Sequence, residues 1–433
     1  MTVNRRRFLS ASALAGPLLA TGSMLASSSS PTTSAGDGPG RTGADGLGRP
    51  VTPGADRLAA EGWQRLSGRK VGVLSNPTGV LADRTHIVDS LMAAGVRPVA
   101  VFGPEHGFRG SAQAGGSEGD YTDPRTGLPV YDIYGVDEDT LAGLFTDAGV
   151  DTVVFDIADV GARFYTYIWS MYTAMVAASR VGAAFVVLDR PNPIGGDAAG
   201  PLLDPEYSSF VGLKPIAQQH GMTVGELARF FDAEFLPDAG GRLDELDVVT
   251  ARGWRRDRVF ADTGLLWTPP SPNMPTPDTA LVYPGTCLFE GTVLSEGRGT
   301  TRPFEIIGAP GLDWRWREHL AGRELDGVAL RETYFVPTFG KFTGDTCGGV
   351  QLSVTDPHTF DPIRTAVEMI VAAARMHPEV FAWRDDLFID KLTGSDRFRT
   401  MVDAGASPDE IVGSWRAELA GFERRREPYL LYR

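Results

Sequence analysis

A chain of 433 residues with 42% hydrophobic and 22% charged side chains has ample material for a buried core and exceeds the size at which one core stops growing, so two domains are expected. Its 41 basic and 55 acidic side chains give a net charge of −14, which repels polyphosphates and excludes nucleic acid as a partner. Only Cys287 and Cys347 are present, which excludes a disulfide scaffold or a thiolate zinc cluster and allows one bridge at most.

Residues 1–30 read as an address. Arg5, Arg6 and Arg7 precede an apolar stretch, residues 11–26, interrupted by Gly16, Pro17 and Gly22, too short and broken to span a bilayer stably. This predicts export by the twin-arginine route, no stable membrane insertion after removal of the signal, and a working place in the periplasm, cell wall or medium. Residues 31–54 are Ser, Thr, Gly, Pro and Asp with almost no large apolar side chain, which predicts a disordered linker. Gly38, Gly40 and Gly43 match GxGxxG, but with no strand before or helix after them the spacing carries no dinucleotide site.

From there apolar runs alternate with helical stripes. Residues 71–74 predict a strand; Ile87, Val88, Leu91 and Met92 share a helical face that Gly95 ends. A strand at 99–102, a helix at 137–145 and a strand at 152–157 follow, then the stripe Ile168, Met171, Tyr172 and Met175 stopped by Gly182, and a strand at 184–188. Strands alternating with helices need crossovers, which dictates a mainly parallel sheet covered on both faces. The prediction is a Rossmann-like α/β domain over residues 55–276, closed by the proline-rich segment 267–276 as a rigid extended connection. Residues 277–433 predict a smaller α+β domain forming the second wall of a cleft. It comprises a long ordered loop at 283–305, strands at 334–337 and 349–354, and helices at 366–376 and 409–422. Ser407, Pro408 and Glu410 stand as the capping box of that last helix.

Ligands of open α/β sheets bind beyond the carboxyl ends of the strands. There the chain turns abruptly polar four times: Asn76 in SNPTG; Glu105 and His106 in FGPEHGFRG; Asp156, Asp159 and Arg163 in FDIADVGARFYTY; Asp189, Arg190 and Asn192 in LDRPNPIGG. Four segments delivering carboxylates, amides and arginines to one rim predict a functional crevice. Residues 283–305 add Glu290, Glu296, Arg298, Arg302 and Glu305 among Gly and Thr.

These motifs, with PPSPNMPT (which holds Asn273), SEGRGTTRPFE and the closing LTGS, resemble in order the NamZ-like family, exo-acting β-N-acetylmuramidases once catalogued as a domain of unknown function. The resemblance runs from about Val71 to the C-terminus. It implies a glycoside hydrolase that needs no cofactor, removes N-acetylmuramic acid from the non-reducing end of peptidoglycan-derived saccharides, and holds its active site between a Rossmann-like and a smaller domain. It also implies that the glutamate of the PEHG motif, Glu105, is the leading catalytic candidate.

The residues can support that chemistry. Glycoside hydrolysis pairs a protonated carboxyl with an ionised one. Glu105, at the end of an apolar strand, suits the general acid; Glu296 is the first candidate for its partner, with Asp156 and Glu290 behind it. The lactyl carboxylate of the implied substrate calls for a guanidinium, from Arg163, Arg298 or Arg302. Tyr165, Tyr167 and Trp169 are candidates to stack on a sugar, and His106 and His220 to orient a carboxylate or bind a hydroxyl; Asn76, Asn192 and Asn273 complete the candidate binding set. Gly115, Ser117 and Gly119 match GxSxG but lack the strand and helix of a nucleophile elbow, and the six histidines are too scattered for a metal site. The remaining alternatives are a metal-dependent hydrolase and an exported saccharide-binding protein using the same crevice without turnover.

Overall fold

Alternation along each strand decides which side chains face which layer of helices. In β1 (Val71–Ser75), Val71 and Val73 join one apolar cluster and Leu74 the other, as the two-residue period of a strand requires. The computed structural model describes residues 50–433; the twin-arginine segment, nearly all of the predicted linker and the GxGxxG spacing lie outside the described residues.

The strands that follow are β2 (Ala100–Gly103), β3 (Tyr121–Thr122), β4 (Pro129–Asp132), β5 (Thr152–Asp156), β6 (Ala184–Leu188), β7 (Ala199–Leu202), β8 (Ala217–Gln219), β9 (Leu246–Val249), β10 (Ile306–Ala309), β11 (Val328–Phe335) and β12 (Cys347–Val354). Seven form a sheet in the order β3-β4-β2-β1-β5-β6-β9, parallel except for β3 at one edge. Every residue of β1, β5 and β6 is buried, as strands covered on both faces must be. The expected mainly parallel α/β layer is therefore what the chain forms. The chain departs to opposite sides of β1, toward β2 and toward β5, so the crevice of this topology opens beyond the ends of β1 and β5.

One face packs on Ile87, Val88 and Leu91 of the helix Ile87–Ala93. The other packs on the helices Glu138–Asp147, Tyr167–Val181 and Val224–Glu234. The helix Tyr167–Val181 stops at Gly182, whose φ of 66° is the left-handed conformation that glycine adopts without penalty.

The smaller C-terminal part carries an antiparallel sheet, β10-β12-β11, packed against the helices Pro277–Thr286 and Trp314–Ala321, which in turn pack on the helix Pro362–Met376. Its core, including Phe289, Trp316, Val350 and Ile370, belongs to the same continuous cluster as Phe155 and Tyr167 of the parallel layer. The described residues, 50–433, accordingly lie in one compact unit.

Two expectations change. Residues 283–305 are not loop throughout: Tyr283 lies in the helix Pro277–Thr286, capped by Thr276, and Cys287–Gly291 continues as a 3-10 turn. The predicted helix 409–422 is two, Pro408–Gly413 and Arg416–Arg426, with the chain turning at Trp415 to bury its indole. The Ser407–Glu410 capping box forms as expected. Cys287 and Cys347 are separate, buried free thiols.

Candidate active site

Past β1, Asn76 folds into a side-chain turn: Oδ1 accepts the Thr78 N–H at 2.9 Å and its hydroxyl at 2.6 Å. The Asn76 carbonyl accepts from His86 Nε2 at 3.0 Å, while His86 Nδ1 accepts the Val88 N–H at the start of the next helix. Because Nδ1 accepts, the proton sits on Nε2 and the ring is neutral. Burial pushes its pKa from 6.5 down to about 4, the Arg109 charge adding to that and the bond to Asn76 opposing it. Between those two values the unfolded chain binds the proton and the folded chain does not, so this contribution is full above pH 6.5 and lost as pH falls toward 4. Urea unfolding of wild type should therefore lose at most about 3 kcal/mol across that window relative to His86→Gln. An unchanged difference between the two proteins at both ends of the window would refute this.

Glu105 follows β2 in a tight turn. His106 adopts a φ of 71°, a conformation costing roughly 1–3 kcal/mol in a non-glycine residue. It is held there by His106 N–H to Gly116 O at 3.0 Å, Gly107 N–H to Pro104 O at 2.8 Å and His106 Nδ1 on Ala112 O at 3.1 Å. The half-buried Glu105 carboxyl accepts the Gly115 N–H on Oε1 and the Thr166 hydroxyl on Oε2, both at 2.8 Å. Thr166 precedes the helix Tyr167–Val181 yet makes no side-chain cap; its hydroxyl serves Glu105 instead. A hydroxyl that donates to a carboxylate can accept from the protonated acid, so this pairing supports either state. Thr166 also borders a depression of about 660 Å³ with Tyr134, Trp169, Ser209 and Phe210, within the usual size range of small-molecule sites.

Past β5, both oxygens of the buried Asp156 bind Arg190, at 2.6 and 2.7 Å. Asp159 Oδ2 accepts the Gly161 N–H at 2.8 Å and pairs with His220 Nε2 at 3.0 Å. Arg163, 0% exposed, donates to the carbonyls of Pro201, Ile216 and Leu392 at 2.9, 2.9 and 2.8 Å. Past β6, Asn192 spends its amide on Met222 O and the Ile194 N–H. Trp169 stacks on Phe231 in the core and donates to Arg163 O. Ser117, of the GxSxG spacing, lies in the loop before β3 with its hydroxyl on Asp132.

A line of rings joins this rim to the second wall. Tyr167 meets Tyr165 edge-on at 5.2 Å, Tyr165 meets Tyr283 at 5.7 Å, and Tyr283 meets Phe304 at 4.8 Å. Arg298 lies 5.0 Å over Phe304; it binds Glu290 at 2.6 and 3.0 Å and approaches Glu296 at 3.4 Å. Lys341 Nζ holds Glu296 Oε2 at 2.9 Å and also donates to the Phe289 and Leu294 carbonyls. The exposed Arg302 side chain binds Glu305 at 2.9 Å, its one side-chain bond among the described residues. Asn273 is 5% exposed and makes no side-chain hydrogen bond among the described residues; only its N–H is engaged, by Ser271.

Two family models match consecutive stretches: residues 71–278 match "Exo-beta-N-acetylmuramidase NamZ, N-terminal" and residues 281–432 match "Exo-beta-N-acetylmuramidase NamZ, C-terminal". The chain belongs to the NamZ family. It is 45% identical over 372 residues to the peptidoglycan beta-N-acetylmuramidase NamZ of Bacillus subtilis (strain 168), covering 85% of this chain and 88% of that one. Crystal structures of two DUF1343 family proteins from Bacteroides fragilis are similar, with TM-scores of 0.80 and 0.71 at 30% and 32% identity; each comparison covers 88% of this chain and 99% of the other. The two NamZ segments meet inside the helix Pro277–Thr286, which carries Tyr283 toward Tyr165.

Within this NamZ frame the structure brings Asn76, Glu105, His106 and Tyr165 to the rim, and Glu290, Glu296 and Arg298 to one cluster beyond Tyr283, while Arg302 pairs with Glu305. Three expectations are corrected. The Arg163 guanidinium is consumed by three carbonyls away from solvent and cannot grip a substrate carboxylate. The Asn192 amide braces its own loop. Asp156 has both oxygens locked by Arg190 and is 0% exposed, which removes it as a reacting carboxylate. Thr166 and Lys341 were missed: an isolated threonine before a helix reads as a cap, and a lone loop lysine reads as solvated.

Proposed function

We propose that this chain, a β-N-acetylmuramidase of the NamZ family, cleaves N-acetylmuramic acid from the non-reducing end of peptidoglycan fragments with Glu105 as the general acid. The observation carrying this reading is the Glu105 carboxyl, half-buried, held by one amide and one hydroxyl, and bordered through Thr166 by the depression of about 660 Å³. As the bond from the anomeric carbon to the leaving oxygen breaks, its electron pair stays on that oxygen, which takes the Glu105 proton. The curated relative is named a peptidoglycan beta-N-acetylmuramidase, and the exposed guanidinium of Arg302 suits the anionic lactyl group of that substrate class. The twin-arginine segment supports work outside the cytoplasm, where such fragments arise.

Arg302 is the reading's partner for the lactyl carboxylate. It is exposed and, among the described residues, its side chain binds Glu305 alone, whereas Arg298 is enclosed by Glu290, Glu296 and Phe304. Wild type should hydrolyse a chromogenic N-acetylmuramide and leave the matching N-acetylglucosaminide nearly untouched. Arg302→Met should raise KM for the muramide roughly 10–100-fold, as loss of a charge-assisted hydrogen bond predicts. Equal cleavage of both sugars by wild type would overturn the recognition, and an unchanged KM would overturn the assignment to Arg302.

A further inference from the structure

The carboxylates near the rim besides Glu105 differ in what their oxygens do, and Asp189 is engaged by the Thr223 and Tyr432 hydroxyls and the Gly225 N–H. Asp156 is saturated by Arg190, and Glu296 is held between Lys341 and Arg298. Asp159 is 6% exposed; Oδ2 is fixed from two sides, by the Gly161 N–H and His220, while the buried Oδ1 has no hydrogen-bond partner among the described residues. Such an oxygen is costly unless a ligand or water meets it.

The groups that fix Oδ2 are themselves anchored. His220 Nδ1 accepts the Met222 N–H at 3.2 Å, so Nε2 carries the proton and donates to Asp159. The His220 N–H bonds Gly161 O, and its carbonyl accepts from the buried Arg426 at 2.7 Å. Gly161 has a φ of 82°, and a Cβ there would meet Ile194 and the Asn192 side chain at 2.6–2.7 Å, so the turn that aims its N–H at Asp159 requires glycine. Nearby, burial raises the Tyr165 hydroxyl well above its usual pKa, with the carboxylates of Glu105 and Asp159 adding. The loop carrying Asp159 is tied to the β1 exit by the Ala158 N–H on Thr78 Oγ1 at 2.8 Å, the same hydroxyl that binds Asn76. Asp159 thus stands at the ends of β1 and β5, where this topology opens its crevice.

We propose that Asp159 is the ionised catalytic carboxylate that works opposite Glu105, with His220 as its positioning residue; this rests on the muramidase reading above. Oδ1 accepts a proton from water as the water oxygen bonds to the anomeric carbon. The bond from that carbon to the leaving oxygen breaks with its electron pair on the oxygen, and Glu105 supplies the proton, so charge and atoms balance. The His220 Nε2–H and the Gly161 N–H hold Oδ2 and so turn the carboxylate to present Oδ1. This explains why a histidine is buried here without being a ligand or a surface group.

The test uses the full chain and an aryl N-acetylmuramide with a good phenolic leaving group. Asp159→Ala should be roughly 10²–10⁴-fold slower than wild type even on this substrate, and sodium azide should restore its rate with formation of N-acetylmuramyl azide. Azide should not restore Glu105→Gln, whose defect lies in proton donation to the leaving oxygen and not in the attack on the anomeric carbon. His220→Gln should lower kcat with little change in KM. Asp159→Asn, nearly isosteric, stands in if the alanine variant does not fold, with the same loss expected and folding checked by circular dichroism. A folded Asp159 variant with near wild-type rate, or Asp159→Ala slowed without any azide product, overturns the role of Asp159 alone. Wild type inert on every muramide overturns the reading beneath it as well.

Discussion

Replacing Glu105 by glutamine should slow release of N-acetylmuramic acid from a muramyl disaccharide by roughly 10²–10⁴-fold, the usual worth of a positioned proton donor, while leaving the fold in place. Glutamine can still accept the Gly115 N–H and donate to the Thr166 hydroxyl, so both bonds that hold this side chain survive. What is lost is the transferable proton. The deficit should therefore track the leaving group: severe for a sugar alkoxide, which needs protonation as it departs, and slight for an acidic phenol, which does not. Product release followed for both substrate types checks this, and a variant at full rate on the disaccharide would remove Glu105 from the reaction.

Arg163→Met should lower the unfolding free energy by about 3–5 kcal/mol, the range for breaking a buried, hydrogen-bonded charged network. The guanidinium is fully buried, and burial lowers its pKa to about 9, which still leaves it charged at neutral pH. Its three bonds tie Pro201 of β7 and Ile216, just ahead of β8, to Leu392 in the helix Phe388–Thr393. Methionine replaces much of the volume and none of the donors, so the carbonyls of Pro201 and Leu392 lose their guanidinium partner and that of Ile216 keeps only the Leu203 N–H at 3.4 Å. Urea unfolding should show the midpoint shifted down. A loss within about 0.5 kcal/mol, the level of an ordinary surface substitution, would mean that these carbonyls find other donors. Any fall in activity should follow this loss of stability and leave KM at low temperature unchanged, which separates Arg163 from Arg302.

The parallel layer was legible because its signal is local. Every core strand from β1 to β6 that was expected from an apolar run is present within a residue or two, as are the helix stop at Gly182 and the capping box at Ser407. Less was legible where the signal was short or mixed. β3 spans two residues and β4 begins at a proline, and neither presents an apolar run. The helix Pro277–Thr286 contains Pro284, which local rules exclude from a helix interior, yet burial of every residue from Thr279 to Thr286 holds it. At the site, the rim residues were found from their position after strands, but their tasks were not. Arg163 and Arg302 look alike as arginines in loops; one meets a carbonyl 229 residues away and the other a glutamate three residues on.

Strand and helix periodicity, the polar switch after each strand and the order of the motifs were thus determined by the chain alone, because each depends on neighbours within a few positions. Which of the polar side chains at the rim remain available for chemistry was decided only by the tertiary structure. A carboxylate or guanidinium is freed or consumed by donors and acceptors that folding brings from distant segments. Arg190 closes over Asp156, Lys341 over Glu296 and three carbonyls over Arg163, while Asp159 keeps one oxygen unclaimed among the described residues.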